Sequence, residues 1–213
     1  MDIIKQIQHA IQHQLPGEDA HIPMSPLKRK KSSEAYKLAS NVKKSSVALI
    51  LFSKNEELYS ILIQRPLYKG NHSGQVCLPG GKYDPEDKDL LDTSLRESYE
   101  ETGIPRDHLK FLGELTPVYI PVSNYYVAPY VFYINKVPDV FPDEREVQEI
   151  FFFKIKEILN KENTKRTTIS ISENKVLPDI PYFHIKNKIV WGATALILNE
   201  FKEICLYCGL SNT

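Results

Sequence analysis

Cysteine is scarce here, with three in 213 residues, and an odd number in a chain without a secretory apolar segment argues against a disulfide framework. A reducing compartment, the cytoplasm, is the expected location. Net charge is also lacking: 27 basic residues balance 27 acidic ones, so no global field recruits nucleic acid or an anionic membrane. Any site for phosphate must therefore be local. The longest apolar runs, Val47 to Phe52 and the Pro-interrupted Tyr125 to Ile134, fall short of the roughly 20 residues a membrane helix needs. No repeat and no low-complexity tract is present, which excludes solenoids.

What remains is an ordinary globular composition, long enough for one full core, and the expectation is a single domain spanning 1–213 with a helical and basic extension at 1–44. Ile3, Ile4, Ile7, Ile11 and Leu15 recur at helical spacing before Pro16-Gly17, which predicts a short amphipathic helix. The Lys- and Ser-rich stretch 28–44, with Lys28, Arg29, Lys30 and Lys31, reads as a solvated basic loop. Val47 to Phe52 and Leu58 to Gln64 flank a polar turn and predict a hairpin. Further strands are expected at Phe111 to Val118, Tyr125 to Tyr133, Val147 to Phe153, Thr167 to Ile171 and Val176 to Ile185, with a last helix from Trp191 to Tyr207.

The chemically informative segment is LPGGKYDPEDKDLLDTSLRESYEETGI, residues 78–104. Residues 89–102 predict a helix stopped by Gly103, and on it Glu97 shares a face with Glu100 and Glu101, three and four residues on. Three carboxylates this close repel one another unless a cation intervenes, and hard oxygen donors suit Mg²⁺ or Mn²⁺ better than zinc. Arg96, four residues before Glu100, is placed to orient these acids. A glutamate-rich, solvent-facing helix is the plain alternative for Glu100-Glu101 alone. The six positions Gly81, Arg96, Glu97, Glu100, Glu101 and Gly103 together match by chance on the order of 10⁻⁵ times per chain.

This pattern resembles the Nudix box: a glycine, five residues, a glutamate, seven residues, then REUxEExGU with U a bulky aliphatic. Here one extra residue precedes Arg96, Asp87 stands for the early glutamate, and Ser98 fills the first U position. With the insertion, GGKYDPEDKDLLDTSLRESYEE is similar to the coenzyme A diphosphatase branch of that family. Upstream, ILIQRPLYKGNHSGQVCLPGG resembles the same branch through Arg65, His72, Gly74, Gln75, Val76, Pro79, Gly80 and Gly81. Family members often carry arginine where Gly70 stands.

The resemblance implies an α/β fold, the Nudix α/β/α sandwich with a mixed β-sheet. It implies metal-dependent hydrolysis of the diphosphate of coenzyme A or a derivative to phosphopantetheine and adenosine 3′,5′-bisphosphate. Glu97, Glu100 and Glu101 would bind Mg²⁺ or Mn²⁺, with Glu100 as base, Arg96 orienting, and Arg65, Gly80, Gly81 and His72 contacting substrate. Asp87 is either a metal group acting through water or a helix cap, and Glu146 or Glu149 would add a later acid or lie as an exposed strand-edge group. A basic contact for the 3′-phosphate, away from the metals, falls to the run Lys28 to Lys31. Two alternatives stay open: a Nudix hydrolase of ADP-ribose, a dinucleotide or another nucleoside diphosphate derivative, and a Nudix-fold module that binds a nucleotide without cleaving it. The expected partner is a small molecule, not nucleic acid or membrane, and the sequence leaves a homodimer open. Cys77, Cys205 and Cys208 read as structural thiols.

Overall fold

The computed structural model describes residues 2–26, 29–68, 73–172 and 175–211. Its centre is the strand β1 (Lys43–Lys54), whose side chains alternate between two apolar layers. Leu49 and Leu51 face one layer, while Ala48, Ile50 and Phe52 face the other. A sheet apolar on both faces must be covered twice. The first layer is closed by helices α1 (Ile3–His13) and α5 (Gly192–Tyr207), through Ile7, Ile11, Leu196 and Phe201. The second is closed by α3 (Leu90–Thr102), through Leu90, Leu91 and Leu95. The result is the layered α/β/α arrangement expected.

β1 turns back through Asn55 and Glu56, both at positive φ, into β2 (Glu57–Gln64), the geometry of a two-residue hairpin. β7 (Tyr125–Ile134) runs parallel to β1 on its other side, which makes the sheet mixed. Short strands β3 (Val76–Cys77) and β4 (Gly80–Lys82) pair with β2 and β1. The expected strand from Phe111 to Val118 is two: β5 (Lys110–Glu114) and β6 (Val118–Ile120), both antiparallel to β7. The interruption spans Leu115 to Pro117, and proline supplies no ladder donor. β8 (Glu149–Lys154) pairs with β2.

Two further features concern the ends of the chain. Between Arg29 and Lys44 the reading of a solvated loop is corrected: Ser32–Lys37 forms a short helix, α2, which sets Tyr36 against the rings of Tyr119 and Tyr126. After β8 comes the short helix α4 (Ile155–Leu159), and then β9 (Thr164–Ser172), β10 (Lys175–Ile185) and β11 (Lys188–Val190) form a separate three-stranded sheet, the first two at the expected extended segments. Leu15 lies beyond α1 and is exposed. Among the described residues no helix is long and apolar enough to cross a membrane.

Candidate active site

Helix α3 begins at Asp89, whose carboxylate accepts from the Asp92 amide at 2.8 Å, and ends at Gly103, at φ 72°. Asp87 therefore does not cap the helix. Beside the partly buried Leu90, Leu91 and Leu95, the fully buried positions of α3 are polar: Thr93, Ser94, Ser98, Glu101 and Thr102. The Ser94, Ser98 and Thr102 hydroxyls donate to carbonyls three or four residues back, so burial leaves them satisfied. Small side chains let the helix lie close to β1 and β4. That closeness explains why Ser98 replaces a bulky aliphatic.

The site is built where α3 approaches the Gly80-Gly81 backbone. Glu101, 2% exposed, accepts the Gly80 amide at 2.7 Å and lies 3.8 Å from the Arg65 guanidinium. Burial pushes its carboxyl up to about 8, only partly offset by Gly80 and Arg65. Arg96 grips Asp87 with both ends of its fork, Nε to Oδ1 at 2.8 Å and Nη2 to Oδ2 at 2.9 Å. Its Nη1 donates at 2.9 Å to both Glu97 Oε1 and Glu100 Oε2. Asp87, also held by the Asp84 amide and the Thr93 hydroxyl, sits far below the usual carboxylate range. The contact of Arg96 to Glu100 follows from helical spacing; the clamp on Asp87, nine residues back, required the loop to fold.

Gly80 and Gly81 have different reasons to be glycine. At Gly80, φ is 151° and a Cβ would fall 2.2 Å from the Ser46 carbonyl oxygen. At Gly81, a Cβ would fall 2.2 Å from the carboxyl carbon of Glu97. Gly81→Ala is thus expected to push the Glu97 side chain from its place while the backbone persists. Turnover should drop at least about 10-fold with a thermal midpoint within a few degrees of wild type, and wild-type turnover would contradict this close packing.

Acids dominate the surroundings. Burial raises the carboxyl of Glu97, as do the charges of Glu100 and Glu146, and Glu146 raises Glu101 as well. Glu146, from the segment before β8, therefore belongs to the same electrostatic cluster. Glu149 does not: it pairs with Lys188. Within this group of Asp87, Glu97, Glu100, Glu101 and Glu146, Arg96 pairs with Asp87, Glu97 and Glu100, Arg65 lies beside Glu101, and Arg145 feels the charge of Glu146. Among the described residues, no three such donors converge closely enough to hold an ion; Arg96 bridges Glu97 and Glu100, and the Gly80 amide engages Glu101. The donor chemistry nonetheless fits a hard divalent cation, since positive charge is what these crowded carboxylates lack.

Of the other residues singled out by sequence, Arg65 donates to the Gly80 carbonyl at 3.3 Å. His72 and Lys28 lie outside the described residues. The Arg29 guanidinium donates to the Tyr119 carbonyl at 2.8 Å, on β6, which is separated from β4 by β7 and β1. Three strand spacings amount to roughly 14 Å, so Arg29 ties the N-terminal segment to the sheet edge away from the acids. Cys77 is half-buried beside Arg65, and Cys205 is buried and unpaired. Sequence reading missed Thr93, Gln64 and Lys188, whose contacts have no local signature.

The NUDIX domain family model matches residues 42–173, more than half of the chain. The Nudix hydrolase NudL of Yersinia pestis (strain Pestoides F) is 30% identical over 143 residues, covering 67% of this chain and 70% of that protein. Its counterpart in Yersinia pseudotuberculosis serotype O:1b (strain IP 31758) matches to the same extent. Among solved structures, a MutT/nudix family protein from Enterococcus faecalis superposes with a TM-score of 0.52 at 17% identity, covering 89% of this chain and 74% of that one, a likeness of fold. Members of the family generally use divalent metal ions. With the acids and paired glycines of residues 80–103 assembled as described, and with these relatives, the chain belongs to the Nudix family and is a Nudix hydrolase.

Proposed function

We propose that the protein hydrolyses the diphosphate linkage of coenzyme A or a derivative, giving phosphopantetheine and adenosine 3′,5′-bisphosphate. The observation carrying the hydrolytic part is the acidic cluster of α3 drawn against the Gly80-Gly81 backbone with Arg65 beside it. Support for coenzyme A comes from the sequence, through the inserted residue before Arg96 and the run from Arg65 to Gly81.

In this reading Glu97, Glu100 and Glu101 would hold Mg²⁺ or Mn²⁺, whose contribution is to offset phosphate charge and make a nearby water more acidic. Arg65, a guanidinium one third exposed at the edge of the cluster, donates to a phosphate oxygen. The missing side chains of Gly80 and Gly81 keep the floor low enough for phosphate to approach. Arg96, saturated by three carboxylates, fixes their rotamers and does not touch the substrate. Glu100, the most exposed of the three glutamates and held through one oxygen, takes the proton of the attacking water through the other.

Purified protein with coenzyme A and Mg²⁺ or Mn²⁺ is expected to release phosphopantetheine and adenosine 3′,5′-bisphosphate, identified by mass spectrometry. Glu100→Gln should lower turnover by about 100-fold or more. Faster cleavage of ADP-ribose or a dinucleotide would move the substrate assignment to those compounds. Undiminished turnover in Glu100→Gln would remove Glu100 as base.

A further inference from the structure

The second sheet touches the main one through a lysine that neither the acidic cluster nor the family match, which ends at residue 173, accounts for. Lys188 opens β11, which lies against β3. Its ammonium donates to Gln64 Oε1 at 2.6 Å and to Glu149 Oε2, and it lies 5.8 Å from the centre of the Phe151 ring. Gln64 and Glu149 are register partners on β2 and β8, so one cation spans both strands. Two of its three donors are engaged and its charge faces Glu149, which leaves it poorly placed to bind substrate directly.

Gln64 is where the segments that carry site residues meet. Its amide Nε2 donates to the Gly74 carbonyl at 3.3 Å, fixing the returning arm of the β2–β3 connection. Its backbone carbonyl accepts the Gln148 amide at 2.8 Å, two residues after Glu146. Its chain neighbour is Arg65, whose amide donates to the Gln75 carbonyl at 3.0 Å and whose guanidinium reaches Gly80 and Glu101. Arg65 and Glu146, which approach the α3 acids from different loops, are thus both hung on one glutamine.

An amide side chain presents two nearly isosteric ends, and either orientation fills the same space. Lys188 accepts no hydrogen bond, so beside it only the oxygen end of Gln64 is tolerated. That choice points the NH₂ group at Gly74. We infer that Lys188 is a positioning residue for the hydrolytic site: by fixing the Gln64 side chain it sets the Gly74-Gln75 arm, and with it the placement of Arg65 toward the diphosphate. The inference rests on the proposed diphosphate hydrolysis for its kinetic consequence, though not for the clamp itself.

The full chain is compared with Lys188→Met, Lys188→Arg, Gln64→Met and the Lys188→Met/Gln64→Met double variant. Steady-state kinetics on coenzyme A with Mg²⁺ are read beside amide hydrogen exchange of residues 64–68 and 73–77. Lys188→Met is expected to raise KM by about 10-fold, with a much smaller fall in kcat, and to speed exchange at Arg65. Lys188→Arg, which keeps a cation and its donors, should restore KM to within about threefold of wild type. The double variant should be no worse than Gln64→Met, because the lysine acts through the glutamine.

Additive effects of the two substitutions, or unchanged KM and unchanged exchange in Lys188→Met, would overturn the inference. Should Lys188→Met fail to fold, Lys188→Gln, which keeps a donor but no charge, is read on the same axes. If the wild-type protein cleaves no diphosphate substrate, the proposed function fails while the exchange arm still decides whether the clamp exists.

Discussion

Arg96→Ala is expected to be the most damaging single change at the site, lowering turnover by at least about 100-fold and stability by roughly 3 kcal/mol. Both effects follow from one side chain serving three acids. Asp87 is 6% exposed and would be left buried without the bidentate partner that keeps it ionised, although the Asp84 amide and Thr93 hydroxyl would remain. Glu97 and Glu100 would lose the shared donor that holds them apart from each other's charge. Arg96→Lys should rescue little, because an ammonium cannot reproduce a fork that reaches Asp87, Glu97, Glu100 and the Lys82 carbonyl together.

The pair also gives a pH signature with a definite sign. Asp87 has a folded-state pKa far below its unfolded value, mainly through the Arg96 hydrogen bonds. Its contribution to stability is therefore complete above the ordinary carboxylate range, near pH 4, and is lost as pH falls below that toward the depressed folded value. Chemical denaturation of wild type and Arg96→Ala between about pH 2 and pH 7 should show a stability gap that is wide at neutral pH and narrows below pH 4. A gap independent of pH would mean that the guanidinium works by packing alone.

Glu200→Ala should produce the largest loss of stability, about 3–5 kcal/mol, lowering the thermal midpoint by roughly 10 °C. Glu200 sits on α5, fully buried, where an unpaired carboxylate would be prohibitive. Its oxygens accept from the Gly17 amide at 3.1 Å, the Thr116 amide at 2.9 Å and the Thr116 hydroxyl at 2.6 Å, and Oε2 lies 3.3 Å from His21 Nε2. Truncation strands these groups and leaves a cavity between the N-terminal segment, the β5–β6 connection and the C-terminal helix. Glu200→Gln, which retains one acceptor oxygen, should lose about half as much. A melting curve for Glu200→Ala within about 2 °C of wild type would show that the knot contributes little.

Glu200 and Arg29 both meet partners far along the chain. Glu200 lies in a stretch of small and aliphatic residues and looks like one polar position on an amphipathic helix. Its partners are 84 and 183 residues away, and no local periodicity encodes such a meeting. Arg29 and its neighbours look like a solvated basic run for the same reason, yet the Arg29 guanidinium is spent on a carbonyl 90 residues on.

By itself the sequence determined the elements whose signal is local. The spacing of Glu97, Glu100 and Glu101, the stop at Gly103 and the hairpin around Asn55-Glu56 follow from helical and strand periods and from backbone angles open to few residues. Tertiary structure decided which polar groups meet: Asp87 in the grip of Arg96, Glu146 beside Glu97 and Glu101, and Lys188 on Gln64 across 124 residues. The physical reason is that a period fixes which face a residue lies on, whereas the partner on that face is chosen by how the separate layers pack against one another.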